Sequence, residues 1–173
     1  MTLAVISLGA LPLAPAASAS NARVLSGVTC AAGVVTVTFS PGITFTPREV
    51  NFELTGNLTG CISSSAPYLR NGSFTAEGHG TFSCTAIDTT FDQTIEWKNL
   101  QGTPVSQSKA SGTTTIALNP AGNSVYLSEG SVYDGEFTGH DYSSEGVTLT
   151  TQGLCADEDG VTETTGTTTA IIS

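Results

Sequence analysis

The chain has 173 residues, with 15 Asp plus Glu against 5 Lys plus Arg, a formal charge of −10, and only 12% of its residues charged. Phosphate neutralisation needs clustered Lys and Arg, so this balance argues against a nucleic-acid partner and against docking on anionic lipid. A hydrophobic content of 39% is too high for a disordered chain, and the length suits one domain.

Leu3 to Leu13 is apolar, far short of the roughly 20 residues a membrane-spanning helix requires. It is followed by Ala14-Pro15-Ala16-Ala17-Ser18-Ala19, in which Ala17 and Ala19 make an A-x-A cleavage site. Residues 1–19 therefore read as a signal peptide, although no Lys or Arg precedes the apolar run. The expected mature protein is a secreted, extracellular domain over 20–173 with no membrane span. Cys30, Cys61, Cys84 and Cys155 agree with export: their number is even and no C-x-x-C spacing points to zinc or redox chemistry.

Beyond the leader, side chains alternate with a period of two. The run Val35, Val37, Phe39 is the first, ending at Ser40-Pro41-Gly42. A long strand follows, with Val50, Phe52, Leu54, Gly56, Leu58, Gly60 and Ile62 on a dry side and Asn51 through Cys61 and Ser63 on a wet side. Asn71-Gly72 marks a tight turn into a second long strand, whose dry side is Phe74, Ala76, Gly78, Gly80, Phe82 and Cys84. Shorter strands are expected around Phe91–Trp97, Val105–Lys109, Thr113–Leu118, Val125–Leu127, Val132–Phe137, Val147–Leu149 and Thr164–Ile172, with a turn at Asn119-Pro120-Ala121-Gly122. About nine to eleven short strands at regular spacing indicate a single antiparallel β-sandwich, with a β-barrel as the alternative.

Register carries the cysteine pairing. A simple hairpin of 50–62 with 73–84 sets Cys84 opposite Val50, nearly a strand length from Cys61 and beyond the roughly 7 Å Cα reach of a bridge. Pairing 35–39 onto 50–54 brings Cys30 toward Thr59, one diagonal from Cys61. The expectation is Cys30–Cys61 and, by elimination, Cys84–Cys155.

Chemistry-bearing motifs are sparse. There are two histidines, and no G-x-S-x-G elbow or H-E-x-x-H. His79 alternates onto a wet face, and His140-Asp141-Tyr142 reads as a loop. Glu77, Glu96, Asp134, Glu136 and Asp141 fall on wet or turn positions, where the raised pKa of a glycosidase acid is hard to reach. No catalytic residue and no cofactor is expected. Asp157, Asp159 and Glu163 concentrate oxygen ligands that would suit Ca²⁺, but without EF-hand spacing. From Glu129 onward there are nine acidic side chains and no Lys or Arg, a field able to steer the protein to a basic partner. Trp97 shares its parity with Phe91 and Ile95 and reads as core. Tyr68, Tyr126, Tyr133 and Tyr142 lie near turns and are candidates for a binding rim.

Thr29-Cys30-Ala31, Ser40-Pro41-Gly42-Ile43-Thr44-Phe45-Thr46-Pro47, Leu58-Thr59-Gly60-Cys61, Gly80-Thr81-Phe82-Ser83-Cys84, Ile95-Glu96-Trp97 and Gly135-Glu136-Phe137-Thr138-Gly139 resemble a group of small, secreted, Thr/Gly-rich all-β actinobacterial proteins. The group's Trp-Asn-x-Gly turn is longer here, Trp97-Lys98-Asn99-Leu100-Gln101-Gly102. These motifs are turn and strand chemistry, so the resemblance implies architecture and transfers no site residue. The expected function is a secreted, non-catalytic binding or structural protein with a protein or glycan partner. The alternatives are a glycan-binding module and a non-catalytic subunit of an exported assembly such as an antibacterial toxin complex.

Overall fold

The computed structural model describes residues 26–118, 123–149 and 152–173. The leader at 1–19 and the turn at 119–122 lie outside the described residues. Eight strands in chain order account for nearly all of the rest: β1 (Val28–Ile43), β2 (Arg48–Ile62), β3 (Asn71–Ser83), β4 (Ala86–Lys98), β5 (Pro104–Leu118), β6 (Asn123–Gly135), β7 (Asp141–Leu149) and β8 (Val161–Ile172). A 3₁₀ turn, Gln152–Ala156, precedes β8.

Each strand pairs antiparallel with its neighbour in sequence, and β1 pairs with β8, so the sheet closes on itself as an up-and-down barrel. This corrects the β-sandwich in favour of the barrel. Alternation is common to both architectures; what separates them is the pairing of Val35 with Gly166 and Thr36 with Thr165, which buries both potential edges. Fewer and longer strands form than the pattern suggested. The 105–109 and 113–118 runs are one strand, as are 125–127 and 132–135, because Gly112 and Gly130 face each other across β5 and β6 without breaking either. A Cβ on Gly112 would sit 2.0 Å from the Glu129 carbonyl oxygen, an approach only glycine allows. β1 also runs through Ser40-Pro41-Gly42, with a cis Ser40–Pro41 bond, because the β1–β8 register slips between Thr38 and Ile43 and the proline sits in the irregularity.

Both disulfides form as expected, although the registers differ from those used to derive them. Cys30 lies directly opposite Cys61, with Cα atoms 4.0 Å apart. Val50 faces Gly80 rather than Cys84, because β2 and β3 are joined by the Ser63–Arg70 loop and Asn71-Gly72 opens β3 instead of forming the turn. Cys84 bonds Cys155, 71 residues on. Gly60, expected on the dry side, adopts φ +64° and reverses the parity of β2. Cys61 thereby turns inward, and Ile62, also expected to be dry, is 71% exposed.

The two ends of the barrel differ. At the end where β2, β4 and β6 finish, Leu58, Leu69, Ile95, Trp97 and Val132 are buried to 1% exposure or less and plug the lumen. The Trp97 indole N–H donates to Ser108 Oγ at 2.7 Å, and Ser108 donates to the Glu136 carbonyl at 2.6 Å. The Phe137 ring meets Trp97 edge-on at 6.0 Å. In the hairpin after Trp97, Asn99 Oδ1 accepts from the amides of Gln101 and Thr103, each at 3.0 Å. At the opposite end, Cys155 ties the segment before β8 to the β3–β4 turn, and Arg48 Nη2 donates to the carbonyls of Gly42 and Asp159.

Candidate functional site

The lumen is not completely filled beneath that second end. There a cavity of about 60 Å³ is lined by residues from all eight strands. Alternation dictates the lining, since each contributing residue occupies an inward position of its strand. Val37, Phe39, Phe52, Phe82 and Ile87 make one wall; Phe82 packs against Phe39 at 6.0 Å and Phe52 at 5.8 Å between centroids. Thr89, Thr114, Thr148 and Thr164 face them, with Ile116 and Tyr126.

The threonines soften the lumen without charging it. Thr89 Oγ1 donates to the His79 carbonyl and Thr164 Oγ1 to the Leu149 carbonyl, each at 2.8 Å, while Thr114 and Ser128 hydroxyls share a 2.8 Å bond. With those three hydroxyls engaged, their oxygen lone pairs and methyl groups are left to a guest. Below the cavity, Tyr142 donates to Gln93 Oε1 at 3.1 Å, and Ser144 bonds Thr168 at 3.0 Å. Burial pushes the Tyr126 phenol up to about 12, against smaller opposing hydrogen bonds from Thr168 and Ser144, so it is neutral at physiological pH. Among the described residues, no ionisable carboxylate, amine or imidazole lines the cavity. It suits an uncharged, mainly apolar molecule. Its volume is under half of the about 150 Å³ that admits benzene in an engineered apolar cavity, so it holds only a very small guest.

The tyrosines selected from sequence do not meet on one rim. Tyr126 and Tyr142 are 7% and 4% exposed and point into the barrel, because their positions share the inward parity of β6 and β7. Tyr68, 48% exposed, donates to Glu136 Oε2 at 3.2 Å in the loops of the plugged end, and Tyr133 lies on the outer face of β6. Trp97 is fully buried, as its parity required, and offers no sugar-stacking face.

Asp157, Asp159 and Glu163 are all exposed. The two aspartates engage their backbone carbonyls, with Gly160 and Arg48 respectively, while Glu163 sits on the outer face of β8 opposite Thr38. Among the described residues no group of three His, Cys, Asp or Glu is placed to hold a metal ion. Glu53, Glu77 and Asp92 stand side by side across β2, β3 and β4 on the outer wall. Glu96 pairs with Lys98 at 3.6 Å and Asp134 with Lys109 at 3.2 Å.

His79 is exposed on the outer face of β3. His140, in the β6–β7 turn, bonds Ser26 Oγ through Nε2 and approaches the Phe137 carbonyl through Nδ1 at 2.9 Å. Its chain neighbour Asp141 instead pairs through its backbone with Ser173.

The cavity residues were visible as strand positions but not as a site. Phe39, Phe52 and Phe82 were assigned to dry faces. Thr89, Thr114, Thr148 and Thr164 carried no inward signal, because threonine counts as polar in an alternation pattern. No protein-family model, characterised protein or solved structure matches this chain.

Proposed function

We propose that the protein is an exported, non-catalytic binding protein that accepts a small, uncharged, mainly apolar molecule in the cavity of its barrel. The observation that carries this reading is the cavity between the Phe39/Phe52/Phe82 cluster and the threonines. Eight-stranded barrels are of the size at which the interior is either packed or holds one small ligand. The leader-like N-terminus and two disulfides support an extracellular setting. The glycan-binding alternative would rest on the exposed Tyr68 and Tyr133, since Trp97 and Tyr126 are buried, and neither exposed tyrosine lines the cavity.

The test is a titration of methyl-labelled protein with xenon and short-chain alcohols, read by NMR. Shifts confined to Val37, Ile87 and Ile116, with Leu58, Leu69 and Ile95 unmoved, are expected. Thr148→Leu, which fills the cavity, should abolish them while the fold persists. Shifts at the plugged end, or equal shifts in Thr148→Leu, would refute the assignment.

A further inference from the structure

The outer wall of the barrel carries a second feature, separate from the lumen. β6, β7, β8 and β1 are consecutive around the ring, and their registers align Val125, Val147, Thr167 and Val34 in one row across all four. Leu127 and Leu149 flank this row on the adjoining rungs of β6 and β7. Val34 is 58% and Val125 40% exposed, on positions whose alternation directs them outward. Where β1 bulges at Ala31–Gly33 the wall sinks into a groove of about 440 Å³, bordered by Val125, Val147 and Thr167. Val125, Leu127, Val147 and Leu149 gather on β6 and β7, with Thr167 linking them to Val34, and exposed apolar patches rimmed by polar residues mark interaction sites.

Charge selects the occupant. No Lys or Arg occurs in β6, β7, β8 or β1. Three exposed carboxylates border the apolar row: Glu145 lines the groove, Glu129 lies beyond Leu127 on β6, and Glu163 beyond Thr165 on β8. A second copy would bring two such carboxylate sets together between chains of formal charge −10, and like charges juxtaposed across an interface are costly. The complementary surface is apolar and flanked by cations. We infer that the β6–β7–β8–β1 face docks a basic partner protein through an amphipathic segment whose apolar residues seat on Val125, Val147 and Val34 and whose Lys or Arg residues meet Glu129, Glu145 and Glu163.

Apolar seating and bare attraction between opposite charges make opposite predictions for one substitution. The probe is a fluorescent peptide of alternating Leu and Lys, with oligolysine as its control, and binding to the whole protein is read by anisotropy. Val147→Asp makes the face more acidic but less apolar. It should weaken the Leu/Lys peptide at least tenfold and leave oligolysine unchanged or tighter, whereas Thr75→Asp on the opposite wall should leave the Leu/Lys peptide no weaker. Val34→Asp, at a more exposed position, gives the same readout should Val147→Asp fail to fold. Equal or tighter binding of the Leu/Lys peptide to both apolar-face variants would overturn the proposal. So would sedimentation showing a dimer that Val147→Asp dissociates, since the face would then be covered by a second copy.

Discussion

Ser108 joins the plug of the barrel to the turn that covers it, and replacing it with alanine tests how that end is held. Its hydroxyl accepts from Trp97 and donates to the Glu136 carbonyl, and both Ser108 and Trp97 are 0% exposed. Ser108→Ala removes one small atom, so the packing loss is slight, but it leaves the indole N–H and a carbonyl without partners. An orphaned buried polar group costs about 1–3 kcal/mol. The Glu136 carbonyl is only part-buried and can turn to water, which places the total near about 2–4 kcal/mol. For a domain of this size each kcal/mol moves Tm by about 2–4 °C, so a fall on the order of 5–15 °C is expected. Trp97 is the only tryptophan, and it survives in the variant, so denaturant and thermal melts followed by its fluorescence report directly. In a Trp97→Phe background, followed by circular dichroism because the fluorophore is gone, the same substitution should cost about half as much, because only the carbonyl is left unpaired. A Ser108→Ala change within about 0.5 kcal/mol of wild type, the range typical of an uninvolved surface site, would refute the bonded chain from Trp97 to Glu136.

Gly60→Ala should destabilise by about 1–2 kcal/mol from its left-handed backbone alone, since the added methyl would meet only Ala31 Cβ at 3.7 Å; Gly60→Asn should cost less, and equal stabilities in chemical denaturation would dismiss the parity switch. Stability should fall as pH rises from about 10, where an unfolded tyrosine ionises, to about 12, where Tyr126 ionises in the native barrel. The folded state holds the extra proton in that window, so the part of the tyrosinate absorbance that Tyr126→Phe removes should appear together with unfolding, and its appearance in a still-folded protein near pH 10 would contradict the burial. Replacing Cys84 and Cys155 together by serine should cost on the order of 4 kcal/mol from the 71-residue separation they close, measured by urea unfolding, and loss of under 1 kcal/mol would show that the segment before β8 is held without the bridge.

Alternation was legible wherever large apolar residues mark the dry side, as in Val50–Leu58 and Phe91–Trp97, and those strands lie where the pattern put them. It failed where the inward residue is small. Gly112 and Gly130 read as interruptions because they bury nothing of their own, yet they let two backbones meet at mid-strand. Inward threonines were equally silent: Thr89 and Thr164 are buried by pairing their hydroxyls with backbone carbonyls, a solution no binary pattern encodes. Barrel and sandwich differ through the β1–β8 pairing, which joins residues some 130 positions apart, such as Val35 and Gly166, and leaves no local trace. The Cys30–Cys61 pairing survived a register error of two residues because Gly60 turns Cys61 inward, to the face where Cys30 is buried opposite it, and Cys84–Cys155 then followed by elimination. The tyrosines show the converse: proximity to a turn says nothing about parity, and parity sent Tyr126 and Tyr142 inward.

Closure of the ring creates both the lumen and the continuous outer face, so the most direct test is the β1–β8 seam. Backbone NMR of the folded, oxidised protein should show cross-strand contacts from Thr36 to Thr165 and from Val34 to Thr167, together with slow amide exchange on both strands. Rapid exchange along β1 and β8, with contacts from each strand to one neighbour only, would mean an open sheet and leave no enclosed cavity to fill.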